Sequence, residues 1–239
     1  MTPGAPPPMR LLWIAPKWPL PAQDGARQAT SQLITGLCSR GAVIDLLAIV
    51  PIGEPVSEDE ALTELGVASA EVIRRPKSGR ALHLRNLIRH PSRAVTLTQY
   101  CAEGLGARLR QAIREPDTAV VFDGLHAAAW LYEVGTWPDG GFLYRAHNVE
   151  SDLWFRAASR RRGPMAWLLR WQGNAVRRFE TRLCTAADRV LTVSDVDADR
   201  FRDLAPRANI ETIPIGMAPK PQRQQAADGA QLLFIGRLD

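Results

Sequence analysis

Short runs of consecutive apolar residues alternate along this chain with longer stretches in which apolar side chains recur every three or four positions. A run that is apolar throughout describes a strand covered on both faces, and the three-to-four spacing describes a helix with one buried stripe. Their alternation predicts an α/β domain: a doubly wound, mostly parallel sheet with helices on both faces. The pattern places strands at residues 11–15, 43–50, 71–74, 119–123, 142–147, 189–193 and 210–215. Helices are expected at 26–40, 57–65, 81–89, 98–114, 124–134, 150–158, 165–187 and 195–204. The longest, 165–187, is one-sided: Leu168, Trp171, Ala175, Phe179 and Leu183 fall on one stripe.

Breakers and caps set the boundaries. Gly41 stops the first helix, and Ser194 is placed to cap the helix after it by offering an oxygen to unpaired backbone N–H groups. Residues 1–9 are rich in Pro and Gly and are expected to form a disordered tail. Residues 10–217 form the main domain in this reading. Residues 218–230, with Pro219, Pro221 and several Gln and Ala, have the composition of a linker, and 231–239 begin a second domain with a strand at 232–235.

Composition adds constraints. A hydrophobic fraction of 46% and a charged fraction of 23% belong to a folded soluble domain rather than a disordered chain. No basic segment followed by a long apolar run opens the sequence, and no apolar run approaches the ~20 residues of a spanning helix. The expected location is the cytoplasm, with peripheral contact to the inner face of the membrane as an option. Cys38, Cys101 and Cys184 are far apart, lie in helix-like stretches and have no zinc-like spacing, so they read as buried thiols in a reducing compartment. The net charge of +5 is local. From Arg156 to Arg182 eight Arg face one acid, Glu180, giving that segment +7 and the remainder −2.

Six landmarks stand in order along the chain: residues 19–27 with Asp24, Gly25 and Arg27; Val120 to His126 with Asp123 and Gly124; Arg145 to Ser151 with His147, Asn148 and Glu150; Val190 to Ser194; Ile213 to Gly216; and Leu233 to Leu238 with Arg237. Together they resemble the Rossmann-like, amino-terminal half of GT-B-fold glycosyltransferases of the family-four type, particularly those of exopolysaccharide synthesis. The resemblance implies an acceptor-side domain that faces a donor-binding domain across a cleft. It implies transfer with retention from a nucleotide-diphosphate sugar to a glycan or lipid-linked acceptor, without a permanently bound cofactor or metal. Arg237 corresponds to the family's diphosphate-contacting Arg. The remaining donor residues of the second domain are not in this chain, which by the resemblance should transfer little alone.

Chemistry of this kind is positioning plus stabilisation of a departing diphosphate, and open parallel sheets bind ligands at the carboxyl ends of their strands. The loop 16–25 ends at a helix amino terminus, where backbone N–H groups favour anions. Gly25 and Arg27 are therefore candidates for the phosphates, with Asp24 beside them for substrate, against the plain reading of a strand-to-helix turn. Asp123 and His126 follow an apolar strand; His126 would hydrogen-bond a sugar, and Asp123 would orient it or take a proton. His147 completes the catalytic set, with Asn148 and Glu150 as substrate contacts; the alternative for this polar cluster is to cap the next helix, for which Asn148 and Ser151 are suited.

Competing classes lack their signatures. The Gly-x-Gly-x-x-Gly turn of dinucleotide enzymes and the Gly-Lys-Ser/Thr loop of NTPases are both missing, and no nucleic-acid motif accompanies the Arg-rich segment. A non-catalytic module that binds an acceptor or a protein is the remaining alternative. Trp154, Trp167 and Trp171 interleave the arginines, which suits either a lipid surface or a core-facing helix with a solvated basic side.

Overall fold

A computed structural model of the chain describes residues 9–77, 79–101, 109, 117–132, 137 and 140–216. Residues 1–8 of the expected tail over 1–9, the linker and the closing strand with Arg237 lie outside the described residues, as do most of 98–116 and residues 133–134.

The elements follow the predicted alternation: β1 (Arg10–Ala15), α1 (Gly25–Cys38), β2 (Val43–Pro51), α2 (Glu58–Leu65), β3 (Ser69–Arg75), α3 (Arg80–Arg89), α4 (Val95–Thr98), β4 (Thr118–Asp123), β5 (Phe142–Ala146), α5 (Glu150–Ser159), α6 (Gly163–Ala186), β6 (Arg189–Thr192), α7 (Asp195–Leu204) and β7 (Ile210–Thr212). Among the described residues the strands form one sheet in the order β3-β2-β1-β4-β5-β6-β7, parallel at every pairing. The order reverses direction beside β1, between β2 and β4. Loops at the carboxyl ends of β1 and β4 diverge there and leave a crevice.

Strand periodicity divides the core into two layers. Leu12 and Ile14 of β1 pack with Leu47, Val120, Phe122, Tyr144, Val176 and Phe179 on one side, whereas Leu11, Trp13 and Ala15 pack with Ile34, Leu46, Val50 and Val121 on the other. This is why strands 11–15, 43–50 and 119–123 read as uninterrupted apolar runs.

Capping accounts for the helix starts. Asp24 accepts from Arg27 N at α1, Ser57 from Glu60 N at α2, and Ser194 from Asp197 N at α7.

Several expectations are corrected. A short helix, Val95–Thr98, ends where the helix expected at 98–114 begins, its Thr98 hydroxyl donating to Val95 O and accepting from Asn86 Nδ2; most of 98–114 lies outside the described residues, and Leu109 within it is helical. Residues 124–134 do not form an α-helix over their described part. Ala127, Ala128 and Ala129 donate to the carbonyls three residues earlier, giving a 3₁₀ segment at Ala127–Tyr132. The strand at 142–147 stops at Ala146, so His147 lies in the turn beyond it. Cys184 is buried, but Cys38 and Cys101 are only half-buried, and Cys101 follows α4 rather than lying within it. Among the described residues no helix is long and apolar enough to cross a membrane.

Candidate functional site

The carboxyl ends of β1, β4 and β5 surround a hollow of about 270 Å³. Lys17, Arg27, Asp123, His126, His147 and Glu150 are among the residues lining it. Candidates from three separate stretches of sequence thus share one crevice.

Asp123 is its hub. The side chain is 1% exposed and accepts four bonds: Thr30 Oγ1 at 2.6 Å and Trp13 Nε1 at 3.2 Å on one oxygen, Arg145 Nη1 at 2.6 Å and His147 Nε2 at 2.7 Å on the other. Burial pushes its pKa up, but the bonds and charges of His147 and Arg145 and the Thr30 hydroxyl outweigh it and hold the group at about 2. An ionised carboxylate facing Nε2 makes that nitrogen a donor. With its four acceptor directions filled, Asp123 is arranged to orient its neighbours rather than to accept a substrate proton.

Gly124 makes this arrangement possible. Its φ of +90° suits glycine, and a Cβ there would stand 3.1 Å from His147 Cδ2. Its amide donates to Arg145 O at 2.8 Å, tying the β4 turn to β5.

His126 sits opposite, half-buried, with its ring 5.0 Å from that of Tyr100, which in turn lies under the Arg75 guanidinium at 4.5 Å. Burial is the chief cause lowering its pKa to about 4, with Lys17, Arg75 and His147 adding repulsion. His126 is therefore neutral near pH 7, a hydrogen-bonding group rather than a cation.

The α1 amino terminus is differently occupied. Asp24 accepts from Arg27 N at 2.9 Å and from Arg27 Nη1 at 3.0 Å, with Lys17 at 3.7 Å. Arg27 also reaches Glu54 Oε1 at 3.0 Å and donates through Nε to Trp18 O at 2.9 Å. The chain's own carboxylate fills the anion position at this helix end, and Arg27 is engaged on three sides. Gly25 does not line the hollow, and a Cβ there would meet nothing within 4 Å.

On the far wall, Asn148 Oδ1 and Tyr144 OH are buried without a hydrogen-bond partner among the described residues, and both residues line the hollow. Glu150 opens α5; burial raises its carboxyl pKa, opposed by His147. Its amide donates to Glu180 Oε1 at 2.8 Å, and Ser151 donates through Oγ to Glu180 Oε2 at 2.7 Å. Glu180, on α6 and fully buried, thus caps α5, and desolvation lifts its pKa to about 7.

Sequence reasoning missed Thr30, Tyr100, Tyr144, Arg145 and Glu180. Two carried a signal: Arg145 interrupts an apolar strand, and Glu180 falls on the buried stripe of α6. Among the described residues no group of three or more His, Cys, Asp or Glu side chains is arranged to hold a metal ion.

No curated protein sequence matches the chain. Solved structures that it resembles include the N-terminal domain of Candida albicans trehalose-6-phosphate phosphatase, at 14% identity and a TM-score of 0.42 over 87% of this chain. The chain spans about half that structure, 49% of its length. A putative short-chain alcohol dehydrogenase from Burkholderia multivorans is also similar, at 14% identity and a TM-score of 0.37, over 86% of this chain and 96% of the other. Likenesses this distant carry no argument about activity. Residues 24–216, well over half of the chain and containing every strand end that forms the hollow except β1, match the model of the glycosyl transferase 4-like domain, and the chain belongs to that family.

Proposed function

We propose that the hollow is one wall of a sugar-transfer crevice, with this chain serving as the acceptor-side part of a retaining glycosyltransferase that uses a nucleoside-diphosphate sugar. The observation that carries this reading is the pairing of His147 with ionised Asp123 in a hollow that Lys17, His126, Asn148 and Glu150 also line. A sugar ring presents several hydroxyls at once, and a wall with oriented donors and acceptors supplies the matching set.

In this reading His147, held by Asp123, bonds a hydroxyl of the reacting sugar through Nδ1. Neutral His126 contacts the same sugar or the acceptor. Asn148 fixes the ring, and Glu150, whose carboxyl pKa is raised by burial, receives a hydroxyl of the glycan or lipid-linked acceptor. Lys17 adds positive potential at the rim where a diphosphate departs. The wall that holds the nucleotide belongs to a second domain, to which Arg237 would contribute. Gly25 and Arg27 serve to shape the β1 loop rather than to grip phosphate directly.

Calorimetric titration tests the division. The 239-residue chain should bind acceptor glycans and only weakly a nucleoside-diphosphate sugar, whereas a form extended through the second domain should bind the donor tightly. Equal donor affinity in the two forms would reject the split crevice. In the extended form His147→Ala or His126→Ala should lower turnover by roughly tenfold or more, the range for lost positioning groups. Wild-type rates in both would remove these rings from the mechanism.

A further inference from the structure

The Arg-rich stretch remains unused by the hollow, and the structure shows where it goes. Glu150, at the start of α5, is on the hollow's rim and bonds to Glu180 of α6, and Gly173 of α6 lies against Trp154 and Phe155 of α5. The two helices are therefore an antiparallel hairpin. The last residue of α6, Ala186, accepts from Gly140 just before β5, so α6 ends at the edge of the sheet opposite the hollow. Followed the other way, α5 climbs from the rim and α6 begins beyond it. At 1.5 Å per residue the hairpin tip stands roughly 15 Å past the rim, on the side to which the strand ends point.

That tip is both basic and greasy. Arg156, Arg160, Arg161 and Arg162 are exposed, and among the described residues none has a carboxylate within salt-bridge distance. Beside them Met165 is 53% and Trp167 67% exposed. Arg160, Arg161 and Met165 line an open furrow between the helices. Trp167 stacks on half-buried Trp171 with ring centroids 6.1 Å apart and 8° from parallel. The stripe 168–171–175–179–183 foreseen as core-facing accounts for Trp171 but not for Trp167. The acids nearest in sequence are elsewhere engaged: Asp152 faces Arg200 of α7, and Glu180 is buried.

We infer that this hairpin tip docks on an anionic lipid bilayer. Guanidinium groups attract phosphate headgroups, a Trp ring settles at the boundary between headgroup and acyl chain, and Met165 enters the apolar layer beneath. Exposed Met beside Trp favours a bilayer over nucleic acid, whose backbone offers it no apolar contact. A docked tip turns the hollow's edge of the sheet toward the membrane.

Co-sedimentation of the full chain with phosphatidylcholine vesicles, with and without phosphatidylglycerol, tests the inference. Binding is expected only to the anionic vesicles, weakened by salt, with a blue shift of Trp emission that Trp167→Ala abolishes. Replacing Arg160, Arg161 and Arg162 with Gln should weaken binding on the order of a hundredfold. All three lie outside the hollow, so acceptor binding by this variant and its circular dichroism should match wild type. Equal partition onto neutral and anionic vesicles, or wild-type binding by the Gln variant, overturns docking. So does tighter binding to duplex DNA than to anionic vesicles at the same salt.

Discussion

His147 Nε2 lies 2.7 Å from an Asp123 oxygen that also takes a 2.6 Å bond from Arg145 Nη1, so one buried carboxylate fixes a ring and a guanidinium together. Asp123→Asn removes the charge but not the volume. Arg145, 6% exposed, then loses its counterion. Removing one partner of such a pair costs roughly 3–5 kcal/mol, to be read by urea unfolding at pH 7. A change below about 1 kcal/mol would mean that the carboxylate does not hold the site.

The same carboxylate sets an acid limb. Its folded pKa of about 2 lies below the ordinary 3.8, so the stability it contributes is fully present above pH ~4 and is lost as pH falls through about 2. The amount is roughly 2 kcal/mol. Unfolding measured from pH 5 to 2 should fall less steeply in Asp123→Asn than in wild type.

Gly124→Ala should act on His147 rather than on Gly124's own strand. The new methyl group meets the ring at 3.1 Å from a backbone φ of +90° that Ala adopts poorly. A loss of about 1 kcal/mol or more is expected, with a changed His147 ring signal by NMR. An unmoved ring signal would refute the contact.

These two residues show what the sequence could disclose. Asp123 and His147 were legible as polar groups at the ends of apolar strands, because a parallel sheet puts such positions at one edge. Their bond was not, since it joins residues 24 apart whose meeting depends on the β4 and β5 registers and on the turn at Gly124. The sheet was legible almost strand by strand, as burial on both faces leaves apolar runs. Asp24 and Arg27 were legible as a helix amino terminus, but their mutual bonds make a closed cap where an open anion site was expected. Thr30 and Tyr144 gave no signal: a Thr in a helix and a Tyr in a strand are ordinary until the fold turns them toward Asp123 and the hollow.

Asp24→Ala tests that cap. It removes the acceptor of Arg27 N and one partner of the Arg27 side chain, and should cost about 1 kcal/mol by chemical denaturation. It also vacates the helix end for anions. Inorganic phosphate should then stabilise the variant against heat more than it does wild type. Equal stabilisation of both would leave the α1 terminus out of anion binding.

Glu180 gives the prediction with the clearest sign. Its ordinary pKa of 4.5 rises to about 7 in the fold because desolvation outweighs the bonds from Ser151 and the Glu150 amide. Between these values the folded protein holds a proton that the unfolded chain has released, so stability falls as pH rises, by roughly 3 kcal/mol over the window. His126 contributes with opposite sign: the unfolded chain takes a proton near pH 6.5 that the folded ring accepts only near 4. The two overlap, and a single pH curve mixes them. Glu180→Gln cannot titrate, so subtracting its unfolding free energy from that of wild type cancels His126 and isolates the carboxylate. The difference should move against wild type as pH rises from 5, most steeply between the two Glu180 pKa values, and level off above about 7. Parallel curves over that range would show that Glu180 is already ionised in the fold, and that its cap on α5 is an ordinary charge-assisted one.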